Sequence, residues 1–326
     1  MNPSPHSRFT TSRNFVYNYV NIPPKQGGTY LLFLHGFPSS SYDWRYQIPY
    51  FANKGYGIIA PDTLGYGGTS KPLSTEAYKG RAMAEDIYEI LKYEKIESVI
   101  GIGHDWGCFL LSRLVNYHPS LITKLVFIDV GYSVPGRGLS LDIVDHVNAA
   151  VQSALGYSVF GYFKFFQEED AASLLNNNCQ SAMSLFYSGD ADLGKKYVGA
   201  DGGLRTWLTE GKTTQLPSFL SSEDKNYFQD LFSLDTGGFG PPTNWYKAQL
   251  ANINAEDEKQ IPENNYTVLQ PTLLITSDYF ITVAADFASQ MKPFVPNLTA
   301  KKLASGHWIM LEHPHEVNEM LEEFLT

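Results

Sequence analysis

The stretch ESVIGIGHDWGCFLLSR, residues 97–113, decides the reading of the whole chain. Val99 to Ile102 form an apolar, β-branched run of the kind that suits a strand buried on both faces. The run ends in Gly103-His104-Asp105-Trp106-Gly107. Apolar residues resume at Cys108, Phe109, Leu110, Leu111 and Leu114, positions that suit a buried helix. Strand, small residue, one reactive side chain, small residue, helix is the pattern of a nucleophile elbow. Such a turn is so tight that only glycine or a similarly small residue fits beside the reactive one. Serine is the familiar occupant of the middle position; here it is Asp105. A serine serves acyl transfer, whereas a carboxylate attacks an sp3 carbon and forms an alkyl-enzyme ester that water must cleave. The competing reading of Asp105 is a helix N-cap, a role that aspartate often fills.

Working outward, FTTSRNFVYNYV (9–20) alternates as one or two opening strands, and TYLLFLHGFPSSSYDWR (29–45) reads as a buried strand over Leu31–Leu34 leaving through His35-Gly36-Phe37-Pro38. Pro38 holds Phe37 extended and so directs its N–H. A loop after a central strand, lying beside the elbow, is the second source of an oxyanion-hole N–H in this arrangement. GIIAPD (57–62) is a further strand. Ser74 and Thr75 offer caps for a helix through Ala84, Ile87, Ile90 and Leu91. LVFID (125–129) continues the alternation of strands and helices, which predicts parallel order with active groups at the strands' C-terminal ends. From about Ser133 to Asn244 the rhythm stops in an aromatic, partly helical stretch that reads as a lid. It returns with PTLLITSD (271–278), LTAKKLASGHW (298–308) and an amphipathic helix around Val317, Met320, Leu321 and Phe324.

The length of 326 residues allows two domains or one large α/β domain with an insertion. A formal charge of -10 argues against nucleic acid or an anionic membrane as partner, since both need a basic face. No apolar run approaches transmembrane length, and MNPSPHSRFTTSRN carries no apolar h-region of a signal peptide. Two cysteines, Cys108 and Cys179, make neither a disulfide framework nor a metal spacing, so a reduced, cytoplasmic setting is expected.

HGFP (35–38), GHDWG (103–107) and GHW (306–308), in that order, resemble the soluble epoxide hydrolases of the α/β-hydrolase fold family over almost the whole chain after residue 8. The resemblance implies an α/β fold with a mainly parallel central sheet and helices on both faces. It divides the chain into a core of residues 1–132 and 247–326 and a mostly helical lid or cap of residues 133–246. It also implies conversion of an epoxide to a vicinal diol with no cofactor and no metal, the partners being a small-molecule epoxide and water, with no membrane insertion. GYFKFFQEED and GPPTNWYKAQL are similar to two lid segments of that family, placing its paired tyrosines at Tyr162 and Tyr246. Two phenol donors suit an opening epoxide, whose oxygen gains alkoxide character. His307 is the implied general base, and the N–H groups of Phe37 and Trp106 the oxyanion hole. Phe37 and Trp106 are also expected to line the substrate site with the two tyrosines.

The orienting acid departs from the family pattern. An ungapped comparison puts Phe280 where relatives carry aspartate, so Asp278, two residues early, is the expected acid; Asp129 is the second candidate and Asp286 the third. The same aspartate nucleophile occurs in haloalkane and haloacetate dehalogenases, some of which take their acid from the region of Asp129. They differ in having asparagine at the position of Phe37 or arginine at that of Trp106. A ligand receptor built on a hydrolase fold is the rival from another class.

Overall fold

A computed structural model describes residues 6–25 and 27–326. β1 (His6–Thr10), β2 (Val16–Ile22), β3 (Tyr30–Leu34), β4 (Gly57–Pro61), β5 (Val99–His104), β6 (Ile122–Ile128), β7 (Thr272–Thr276) and β8 (Leu298–Lys302) form one sheet in the order β1-β2-β4-β3-β5-β6-β7-β8. β2 pairs antiparallel with both β1 and β4, and every other pairing is parallel. Burial follows the sequence. GIIAP in β4 and VIGIGH in β5 are buried throughout because helices cover both faces, whereas β1 alternates at one edge. β8, LTAKK, closes the other edge with Lys301 and Lys302, charges that discourage edge-to-edge pairing.

The helix Gly80–Tyr93 buries Met83, Ala84, Ile87, Ile90 and Leu91, as its 3.6-residue period requires. Its start departs from expectation. Ser74 and Thr75 do not cap it: they begin a separate 3-10 turn, and the Thr75 hydroxyl turns to Asn244 Oδ1 at 3.3 Å. The N–H of Gly80 is instead taken by Asn254 Oδ1 at 2.7 Å, a partner 174 residues away that local pattern could not supply.

Between β6 and β7 the described residues form helices and no strand, among them Leu141–Leu155, Gly161–Gln167, Cys179–Phe186, Ser222–Leu231 and Gly240–Leu250. This segment is pinned over the C-terminal ends of the strands by side chains that donate to backbone carbonyls. Tyr187 bonds Pro38 O, Trp245 bonds Leu64 O and Trp308 bonds Phe186 O, each at 2.9 Å. Both cysteines are free thiols. No helix of the described residues is long and apolar enough to cross a membrane.

Candidate active site

Asp105 joins β5 to the helix Trp106–Tyr117 with φ 52° and ψ −123°, left-handed territory in which a non-glycine residue is strained. The strain is held by close backbone approach: a Cβ on Gly107 would come within 1.9 Å of Leu34 O, so no larger residue fits there. The Asp105 side chain does not cap its own helix. Its Oδ1 accepts the N–H of Phe37 at 2.8 Å, so the carboxylate looks into a cavity and the N-cap reading is displaced. Burial pushes its pKa up, opposed by the charge of His307 and by the amides of Phe37 and Trp106, which favour the ionised form.

His307 sits on the loop after β8. Glu312 clamps that loop by accepting from Gly306 N at 2.8 Å and Trp308 N at 3.1 Å. His104, inside the elbow, is bonded through Nε2 to the His307 carbonyl at 2.9 Å. Burial, then the charge of His307, holds the His104 pKa well down, so a neutral ring donates that bond. The His307 imidazole spans two carboxylates. Nε2 lies 3.7 Å from Asp105 Oδ2, beyond direct hydrogen bonding, and Nδ1–H donates to Asp129 Oδ2 at 2.5 Å. Burial pulls the His307 pKa down, but the bond and charge of Asp129, with Asp105, more than reverse this and leave it raised.

The acid beside His307 is therefore Asp129, and the expectation of Asp278 is corrected. Asp278 is half exposed and pairs with Lys302 Nζ at 2.5 Å on the sheet edge. Asp129 is buried, takes φ 65° at the end of β6, and receives Ser277 Oγ at 2.5 Å and Thr282 Oγ1 at 2.7 Å on its other oxygen. β6 and β7 are neighbours in register, Ile128 opposite Ile275, so the β7 loop serves the acid with hydroxyls instead of providing it. Asp286 caps a short surface helix through Ser289 N.

Tyr162, on the helix Gly161–Gln167, and Tyr246, on Gly240–Leu250, come together over Asp105 with ring centroids 5.7 Å apart. Both phenols line the cavity that Asp105 borders, and the side chain of Trp106, which can only donate, is the hydrogen-bonding neighbour of the Tyr246 hydroxyl. Burial, then the charge of Asp105, raises both phenols well above their ordinary range, so they stay protonated donors. Tyr246 is wedged between Trp106 at 5.0 Å and Phe37 at 5.2 Å, centroid to centroid. Tyr279 is a third phenol in the same cavity, its ring 5.1 Å from that of His307. Sequence reading passed over it; the one available signal was its place at the C-terminal end of a parallel strand.

The α/β hydrolase fold family matches residues 29–314. The chain belongs to the α/β-hydrolase fold family. Among curated relatives of this α/β hydrolase, the bifunctional epoxide hydrolase 2 of Rattus norvegicus is 26% identical over 323 residues, covering 95% of this chain and 55% of the rat protein. The chain thus spans about half the length of the mammalian relatives it matches. Epoxide hydrolase A of Mycobacterium tuberculosis is 29% identical over 310 residues, covering 92% of this chain and 91% of its own. Among solved structures, an epoxide hydrolase from an endophytic Streptomyces superposes with a TM-score of 0.83 at 25% identity, over 100% of this chain and 96% of the other. Epoxide hydrolase A from Mycobacterium thermoresistibile gives a TM-score of 0.79 at 25% identity, over 98% of each chain.

In this α/β hydrolase the Asp105 carboxylate, the His307 imidazole and the Asp129 carboxylate stand in line, with N–H and O–H donors on two sides of Asp105. The Phe37 N–H occupies Oδ1 of Asp105, and Oδ2 is the oxygen nearer His307. The phenols of Tyr162 and Tyr246 line the same cavity as Asp105.

Proposed function

We propose that this α/β hydrolase is an epoxide hydrolase, and the observation that carries the reading is the pair of phenol donors, Tyr162 and Tyr246, facing the carboxylate of Asp105. Oδ2 of Asp105 attacks an oxirane carbon, the C–O bond breaks, and the ring oxygen takes a proton from one of the tyrosines. The product is an alkyl ester on Asp105 with its carbonyl oxygen, the former Oδ1, on the Phe37 amide. His307 then takes a proton from water, which attacks the ester carbonyl carbon. The N–H groups of Phe37 and Trp106 hold the tetrahedral oxyanion. Collapse frees the vicinal diol and the carboxylate, and the imidazolium proton goes back to the tyrosinate.

Asp129 fixes the tautomer of His307 and stabilises the imidazolium. An acid at this place is shared with some dehalogenases, which favours a second reading on the same nucleophile. The phenols weigh against it, because a halide leaves without needing a proton. The two free thiols fit a reducing, cytosolic setting. The test is a paired assay of the purified chain on styrene oxide and a short bromoalkane. Diol from the first without bromide from the second supports epoxide hydrolysis; bromide without diol moves the function to dehalogenation. Binding of epoxides with neither product would leave a ligand receptor as the reading.

A further inference from the structure

Two adjoining spaces of unequal size meet at Asp105. On the His307 side, between Phe186, Val198, Tyr279 and Trp308, lies a space of about 70 Å³. On the other side, between Trp106, Phe109, Leu139, Phe160 and Phe163, lies one of about 340 Å³. Asp105, Val130, Tyr162, Ile281 and Phe287 border both, so the two spaces adjoin at the nucleophile. The larger chamber is walled by apolar side chains and opens to water beside exposed Arg137 and Gln290.

Volume decides what each can hold. An apolar cavity of roughly 150 Å³ takes up benzene, and one water occupies about 30 Å³ of liquid. The small space therefore falls below the size of an aryl-ring site. It has room for about two waters, and one place there is needed beside His307 Nε2 for ester hydrolysis. The large chamber is more than twice the size of a benzene site.

We propose that the site selects oxiranes that carry hydrogen or methyl on one carbon and one extended apolar arm on the other, the arm lying along Trp106, Phe160 and Leu139. This specificity rests on the epoxide-hydrolase reading. Bulky groups on both oxirane carbons would force one of them into the chamber reserved for water.

The experiment compares kcat/KM for methyloxirane, styrene oxide, hexyloxirane and trans-stilbene oxide in the unmodified chain and in two variants, Leu139→Trp and Phe186→Ala. Styrene oxide and hexyloxirane are expected to exceed trans-stilbene oxide by about 100-fold or more. Leu139→Trp is expected to lower kcat/KM for hexyloxirane about 10-fold more than for methyloxirane, and Phe186→Ala to gain on trans-stilbene oxide. Trans-stilbene oxide turned over within a few-fold of styrene oxide overturns the proposal, as does an unchanged hexyloxirane rate in a folded Leu139→Trp protein. If no oxirane yields diol and none leaves an adduct on Asp105, the epoxide-hydrolase reading itself fails. If diol forms without this discrimination, only the specificity does.

Discussion

His307 donates its Nδ1–H to Asp129 over 2.5 Å, and Asp129 ends β6, one strand away from the β7 loop that carries Asp278. Asp129→Asn replaces an acceptor by an amide that cannot stabilise an imidazolium. A loss in kcat on the order of 10²- to 10⁴-fold is expected, by analogy with a triad acid made neutral. Asp278→Asn breaks a half-exposed pair with Lys302 and is expected to leave kcat within about two-fold. Steady-state diol formation measures both, and the opposite ranking would return the role to Asp278.

His307→Gln removes the proposed water activator and is expected to leave Asp105 free to be alkylated. Intact-mass spectrometry after exposure to styrene oxide is expected to show the protein plus one substrate mass; an unmodified mass would remove His307 from the second step. In the unmodified protein the base must be neutral, and its pKa is raised, so the acid limb of kcat is expected above the ordinary imidazole value of 6.5. An acid limb centred below 6.5 would contradict the Asp129 contact as its cause.

Tyr162→Phe and Tyr246→Phe each remove one donor to the developing alkoxide without changing the ring packing. Each is expected to slow alkylation of Asp105 on the order of 10²-fold, as for one donor of an oxyanion hole, and the double variant to abolish turnover. Single-turnover kinetics reads this directly, and an unchanged alkylation rate in both would strip the lid phenols of their role.

Asp43, on the 3-10 turn Ser41–Trp44 after the Phe37 loop, is fully buried. Burial pushes its pKa up to about 7, outweighing the Ser39 hydroxyl and the nearby charges of Arg45 and His307, while Asp224 pushes the same way as burial. A carboxyl protonated in the fold and ionised near 3.8 when unfolded adds stability that is complete below 3.8 and is lost as pH rises to about 7. Asp43→Asn keeps the neutral form at every pH. Between pH 4 and 8 the Tm of the unmodified chain is therefore expected to fall more than that of the variant, by thermal denaturation. Parallel curves would refute the burial argument.

The elbow was legible because its constraint is local. A Cβ on Gly103 would come within 2.8 Å of the Gly107 carbonyl inside the same turn, so Gly103, Asp105 and Gly107 announce themselves in one dimension. The same holds for the buried strands, whose apolar runs follow from helices on both faces, and for the order HGFP, GHDWG, GHW along the chain. Tertiary structure decided which carboxylate serves His307. Asp129 and Asp278 leave adjacent parallel strands, so spacing along the chain cannot rank them. The left-handed backbone of Asp129 and the hydroxyls of Ser277 and Thr282 turn one inward, and Lys302 draws the other out. The cap from Asn254, the third phenol at Tyr279 and the unequal chambers are of the same kind. Each depends on residues far apart in sequence meeting in space, and no periodicity records such a meeting.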